Sequence, residues 1–289
     1  MNRIAIIPIV LMSAHQLMVG QTLCSKSGIY NGHDYPLYLD WGTYTAEKLD
    51  TSIYVVNYDT SVMVDTLSGE KFNYNNVLLV GKDVNKFFSA GKFEYDLSRT
   101  KGGMNWDAIR NQHHVFFYEA IYLDRKTGQT TITERLCEDD FIYKEDTPVQ
   151  YWLLLDEKKT IRGYECSLAE CDFRGRHYYA WYTDEIPMSY GPWKLGGLPG
   201  LIVSAYDSHH HYEYTITELG SDSTPIFRIN YNYVDIDRNR LNKLTNEILH
   251  RPLIYMDNHF HLTNSRRIRS DVMVKEGGNV YQYDAIERD

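Results

Sequence analysis

Three consecutive histidines, His209-His210-His211, stand between Asp207 and Glu213, and imidazole with carboxylate is a donor set that holds Zn²⁺ or Cu²⁺. Successive side chains in an extended loop alternate in direction, so His209 and His211 are the pair able to share one ion. Solvated turn histidines are the plainer alternative. Arg174 and Arg176 form a second constellation, placed at i and i+2 on one strand face and followed by Asp184 and Glu185. Guanidinium forks grip a ligand carboxylate or phosphate, or they pair with the nearby acids at a sheet edge. A third feature is the run Gly196-Gly197-Leu198-Pro199-Gly200, which leads straight into Leu201-Ile202. Pro199 presets the first corner of a turn, and Gly200 is expected to take the positive φ of type II geometry at the second. Such a turn either locks a strand into its sheet or lines a binding groove with backbone. It makes a poor phosphate cradle, because no helix follows it. Trp181 and Trp193 belong to an aromatic concentration with Tyr178, Tyr179, Tyr182 and Tyr190. These rings pack a core or, if exposed, offer a shelf to a glycan or peptide.

The spacings that mark common enzymes are missing. There is no GxSxG elbow, HExxH helix, Walker loop or GxGxxG unit, so no catalytic residue is assigned, although a hydrolase of another design remains an alternative. A net charge of −9 argues against a nucleic-acid or anionic-membrane binder, which needs a basic footprint. Residues 1–20 have the form of a signal peptide: Arg3, then the apolar run Ile4–Met12, then Gly20 before a cleavage point at Gln21. No later segment is long and apolar enough to span a bilayer. Export suits Cys24, Cys137, Cys166 and Cys171, an even set that permits two disulfides in three pairings. Cys166 and Cys171 lie an odd number of residues apart, so a bond between them needs a bulge or turn in their strand.

The elements that would position these groups are mostly strands. With 25 Tyr and many β-branched residues, the chain favours half-buried sheet surfaces. Residues 21–47 read as an extended lead-in, and 48–289 as one β-rich domain. SIYVVNYDTSVMVD and KFNYNNVLLVG alternate as a strand pair about Ser68-Gly69. Residues 83–95 suggest a short helix capped by Asp83, and 105–113 a further helical turn. Hairpins are expected about Lys126-Thr127-Gly128 and about Asp156–Lys159, with later strands over 171–183, 201–206, 212–219 and 227–234. Leu241, Leu244, Ile248 and Leu249 recur at helical spacing behind Asp235 or Asp237 as cap. The predicted class is mainly β: an antiparallel meander forming a curved open sheet or half-barrel, with one or two short helices packed on it.

The stretch from Gln150 to Tyr214 resembles the GLPGLI family of exported Bacteroidota proteins. The matching residues are Trp152, Ile161-x-Gly163-Tyr164-x-Cys166, Phe173-Arg174-Gly175-Arg176 and Ala180-Trp181-Tyr182-Thr183. They continue through Glu185-Ile186-Pro187, Gly191-Pro192-Trp193-Lys194 and Gly196-Gly197-Leu198-Pro199-Gly200-Leu201-Ile202. A looser likeness extends from Thr51 to His250; Cys171 and the basic tail after Arg251 depart from the family pattern. The resemblance implies a cell-envelope location, periplasmic or at the outer membrane, and no established activity or cofactor. The function expected is that of a non-catalytic envelope protein binding a ligand or a partner, with outer-membrane transport machinery as one such partner. Its candidate binding residues are Arg174, Arg176, Trp181, Glu185, Trp193, Gly197, Leu198, Pro199 and Gly200. Zn or Cu at His209 and His211 is the alternative, and an unrecognised hydrolase the second.

Overall fold

The computed structural model describes residues 28–30, 33–35, 44–92, 96, 119–136, 139–250 and 283–288. The expected signal peptide, Cys24, Cys137 and the helical turn at 105–113 lie outside the described residues. The chain divides into two units, Met1–Trp41 and Gly42–Asp289. In the first, β1 (Gly28–Tyr30) and β2 (His33–Tyr35) pair as an antiparallel hairpin within the stretch expected to be extended.

The second unit is built on β3 (Ala46–Asp65), a 20-residue strand rich in β-branched residues. From it the chain meanders outward through β4 (Glu70–Gly81), β5 (Val84–Ser89), β6 (Ala120–Asp124), β7 (Gln129–Leu136) and β8 (Asp139–Asp146), each antiparallel to the last. It then restarts at the opposite edge with β9 (Leu153–Ile161) and returns through β10 (Tyr164–Phe173), β11 (Arg176–Thr183), β12 (Leu201–Asp207) and β13 (Tyr212–Gly220), which pairs with the C-terminal half of β3. Strand β14 (Pro225–Ile229) pairs with the N-terminal half of β3, and β15 (Val234–Asp235) adds in parallel to β8. Helix α1 (Arg238–His250) follows, with Asp237 as its cap: its carboxylate accepts from Arg240 N at 2.9 Å. The mainly antiparallel, open thirteen-stranded sheet agrees with the predicted class.

The order of the strands forces the sheet to curl. Ten strand spacings separate β8 from β9 in the sheet, about 48 Å if it lay flat. Residues 147–152 join the two strands, and seven Cα steps reach at most about 25 Å. The ends must therefore bend toward each other. Register shifts on β3, β9 and β12 supply bulges, which sharpen twist and bend. Phe141 and Tyr143 from one end share a core with Leu168 and Phe173 from the other, so this face is the inside of the curl. Leu241 of α1 is buried in the same core.

Two sequence expectations fail here. Residues 84–89 form a strand, not a helix, and helical backbone begins only at Ala90. All six strand residues are buried: Phe87 faces the inner core, while Val84 and Phe88 join a second cluster with Ile226 of β14 on the other side. A strand covered on both faces shows no polar–apolar alternation. The hairpin placed about Asp156–Lys159 turns instead at Arg162-Gly163, where both residues have positive φ, 52° and 89°. That is the signature of a type I′ turn, whose twist matches the flanking strands. Arg174-Gly175, with φ of 52° and 73°, repeats it between β10 and β11.

Gly200 also departs from expectation. The glycine with positive φ is Gly197, at 84°, not Gly200. Gly200 is required by closeness, because a Cβ there would stand 1.9 Å from the carbonyl oxygen of Thr183. Backbone cannot yield as a flexible side chain does, so Gly200→Ala is expected to lower stability by about 1–3 kcal/mol. Gly220→Ala, with open space around it, should stay within about 0.5 kcal/mol. Urea unfolding of both variants checks this; equal midpoints would show that the close approach carries no energy.

Candidate functional site

Between β11 and β12 the chain does not turn at once. Residues 184–200 form a compact loop whose ends meet at the Thr183↔Leu201 pair, and it lies inside the curl. Its backbone is pinned internally by Gly197 N donating to Ser189 O at 2.9 Å and Ile202 N to Tyr190 O at 3.0 Å. Two side chains from the β8–β9 connection hold it from outside. Trp152 Nε1 donates to Gly196 O at 2.8 Å, and the Gln150 amide donates to Lys194 O and accepts from Gly196 N. Leu195 and Leu198 fill the core beneath. Trp193 takes a left-handed backbone, φ 54°, which costs a bulky residue about 1–3 kcal/mol. Its ring packs edge-on against Phe173 and in a tilted arrangement against Tyr178.

This loop roofs a cavity of about 340 Å³, in the size range of small-molecule sites. The floor is the inner face of β4 to β7, with Leu78, Phe87, Ile121 and Leu123; Pro148 and Val149 form part of the rim. Two polar atoms of its lining residues are buried without a hydrogen-bond partner: Asn85 Oδ1 and Trp193 Nε1, on residues 3 % and 5 % exposed. Each such orphan costs about 1–3 kcal/mol. A smaller space of about 40 Å³ also borders Trp193 and is lined by Glu119, Asn76 and Tyr212.

Lys194 is the charged residue of the larger cavity's lining, but its ammonium points into a carboxylate cluster. It donates to Tyr143 Oη at 2.8 Å, to Glu145 at 2.9 Å and to Glu287, which uses all three of its protons. Arg174 also reaches Glu145, at 2.7 Å, and Arg238 reaches Glu287 at 3.0 Å. The ion pairs hold the Glu287 carboxyl below its ordinary value against the opposing effect of burial. Two further carboxyls inside the curl go the other way. Burial, reinforced by neighbouring carboxylates, pushes Glu119 up to about 7 and Glu134 up to about 8.

Arg176 does not act with Arg174. Arg174 occupies the β10–β11 turn, whereas Arg176 begins β11 and is buried in a second cluster, which corrects the expected shared strand face. Its guanidinium pairs with Asp207 at 2.9 Å, with the Asp284 carboxylate at 3.1 Å and with the carbonyls of residues 284–286. Asp207 also accepts from the backbone N–H groups of His211 and Tyr212. Burial raises the cost of Asp284's charge, yet Arg288, Arg176 and His211 together bring its carboxyl down to about 2.

The remaining expected residues scatter. Trp193 and Gly197 line the cavity, and Leu198 is buried below it. Trp181 is buried on β11 beneath the Lys159 ammonium, 4.7 Å from its ring, so it offers no open shelf. Glu185 accepts from Glu165 N at 2.8 Å rather than facing either arginine. His209 is exposed, His210 stacks on Tyr206, and His211 Nδ1 lies 2.7 Å from the Asp284 carboxylate. Among the described residues no group of three or more His, Cys, Asp or Glu is arranged to hold a metal ion. Cys166 and Cys171 are free, buried thiols, contrary to their place among the disulfide candidates; burial pushes them up to about 11 and about 12. Sequence reading passed over Asn85, Glu119, Glu134, Glu145, Gln150, Lys194 and Glu287. A signal existed for Glu145, which continues the inward period of Phe141 and Tyr143 on β8.

Comparison with known proteins adds little chemistry. A family model described as a protein of unknown function (Porph_ging) matches residues 175–204, the strand β11 and the loop that roofs the cavity. It fits a family of the Bacteroidota type. Among curated proteins none matches. Two structures of PNGF-II, in space groups P21 and C2, overlay with TM-scores of 0.47 and 0.45 at 15% identity. Each covers 69% of this chain, which spans about a third of that protein's length.

Two outcomes follow from the charge clusters. Arg176→Met leaves Asp207 buried and uncompensated, so it should cost about 3–5 kcal/mol. It should also make residues 283–288 sensitive to limited proteolysis; a variant as protease-resistant as wild type would contradict the clamp. The second concerns pH. Glu119 and Glu134 bind protons more tightly folded than unfolded, because their folded values lie above 4.5. The stability they contribute is complete below about pH 4.5 and drains away as pH rises through about 7 to 8. Glu287 and Asp284, held low, are ionised in both states over that interval and add no slope there. Glu134→Gln should therefore lose less stability than wild type between pH 5.5 and 8.5, and parallel urea-midpoint curves would refute the assignment.

Proposed function

We propose that this chain is an exported, non-catalytic binding protein of the bacterial envelope, of the GLPGLI type, which takes a small molecule into the interior of its curled sheet. The observation that carries this reading is the cavity of about 340 Å³ under the 184–200 loop, with an apolar lining that includes Leu78, Phe87, Ile121 and Leu195. Strain at Trp193 points the same way, because left-handed bulky residues persist where a site over-determines them. The form of residues 1–20 supports export, and the motif between Gln150 and Tyr214 supports the family. Metal binding at His209 and His211 draws less support, since His211 is already engaged by Asp284.

The test is to purify the full-length protein from a bacterial envelope, extract it with organic solvent and identify small molecules by mass spectrometry. Leu123→Trp fills the cavity floor from β6 and serves as the control. Wild type should carry a stoichiometric small molecule that Leu123→Trp lacks, and re-addition at one hundred times Kd should stabilise wild type by about 2.7 kcal/mol. Equal extracts from both proteins, together with no stabilisation, would end the proposal.

A further inference from the structure

We propose that the cavity takes the hydrocarbon chain of a single-chain amphiphile, whose head group stays in water at the rim. This rests on the binding reading above and adds the chemical class. A ligand can gain hydrogen bonds only from groups the protein has left free, and the polar side chains of the lining are largely engaged. The Thr130 and Thr147 hydroxyls pair with each other at 3.0 Å. The Gln150 amide is committed to Lys194 O and Gly196 N. Tyr190 Oη accepts from the Arg125 guanidinium, and the three protons of Lys194 go to Tyr143, Glu145 and Glu287. Asn85 Oδ1 and Trp193 Nε1 lack partners but are enclosed too tightly for water to reach, so neither is offered to a ligand. Ser189 is exposed, where solvent serves its hydroxyl. Carbonyls of the roof are taken in the same way: Ser189 O and Tyr190 O accept from backbone N–H groups, and Lys194 O and Gly196 O from Gln150 and Trp152.

A polar head drawn inside would therefore lose its water with little in exchange, and a charged head would lose most. A hydrocarbon chain has no such loss. Each methylene moved from water onto the wall of Leu78, Phe87, Ile121, Leu123 and Leu195 is worth about fourfold in affinity. Apolar surface also continues past the mouth. Val149, a lining residue, is 69 % exposed, and Tyr151 and Leu153 follow it at alternate positions, 88 % and 59 % exposed. Exposed apolar side chains in succession beside a cavity suit a ligand whose hydrocarbon emerges there before its head meets water.

Two probe series test this, each titrated below its micellar concentration into the full-length protein at pH 7 and read by ligand-observed NMR. Hexyl-, octyl- and decylphosphocholine vary the chain under one head, while octylphosphocholine, octylammonium and octanoate vary the head on one chain. Affinity should rise about fourfold per added methylene and change less than about fivefold with the head. Leu123→Trp, which fills the cavity floor, should abolish the saturable binding; Thr147→Trp at the half-buried rim replaces it if that variant does not fold. Asn85→Leu, which removes an amide from the lining, should leave octylphosphocholine within about threefold of wild type. Affinity that follows the head and not the chain, or that is lost in Asn85→Leu, overturns the hydrocarbon class and leaves the cavity reading standing. If no probe binds in a way that the filling variant suppresses, both are overturned.

Discussion

Residues 147–152 hold together two strands that stand ten spacings apart in the same sheet, and most of the structure answers to that short connection. A flat sheet of this order cannot be drawn with so little chain. The sheet curls, and its curl creates an inside. Once an inside exists, side chains from β8 and from β10 share one core, and the β10–β11 turn comes close enough to β8 for Arg174 to pair with Glu145. The same connection carries Gln150 and Trp152, which grip the 184–200 loop from its far side. One stretch of chain thus sets the curvature and also seats the roof of the cavity.

Curling brings charge indoors, and the protein handles it in two ways. Lys194 has an acceptor for each of its three protons, and all three nitrogens of the Arg176 guanidinium donate to acceptors, as buried cations require. Residues 283–288 complete both arrangements: Glu287 serves Lys194, and the carbonyls of 284–286 serve Arg176. Glu119 and Glu134 follow the other route. They lack cations of their own and retain their protons into the neutral range.

Much of the architecture was legible in the chain. Period-two alternation marked β3 and β4, Lys126-Thr127-Gly128 marked a hairpin, and Asp237 marked the start of α1. The errors have physical causes. β5 has a helix-like pattern because β14 and its neighbours cover its outer face, which removes the alternation a half-exposed strand displays. The β9–β10 turn was placed on the charged run Asp156–Lys159, since polar clusters read as turns; β9 is an edge strand whose side chains can be charged along most of its length. The Pro199-Gly200 pattern suggests an unusual φ at Gly200, but its constraint is the nearness of the Thr183 carbonyl, which no local pattern announces.

By itself, the sequence determined that this chain is a β meander punctuated by glycine turns, and that residues 184–200 are a stiff loop punctuated by proline and glycine. Those are local properties, set by backbone dihedrals and side-chain period. Only the tertiary structure decided that Arg174 and Arg176 part company, that Trp193 rather than Trp181 lines a cavity, and that Lys194 is spoken for by carboxylates from β8 and the C-terminal segment. Each of those outcomes depends on strands distant in sequence being bent into one enclosure, and curvature of a sheet is the sum of many small twists that no single residue encodes.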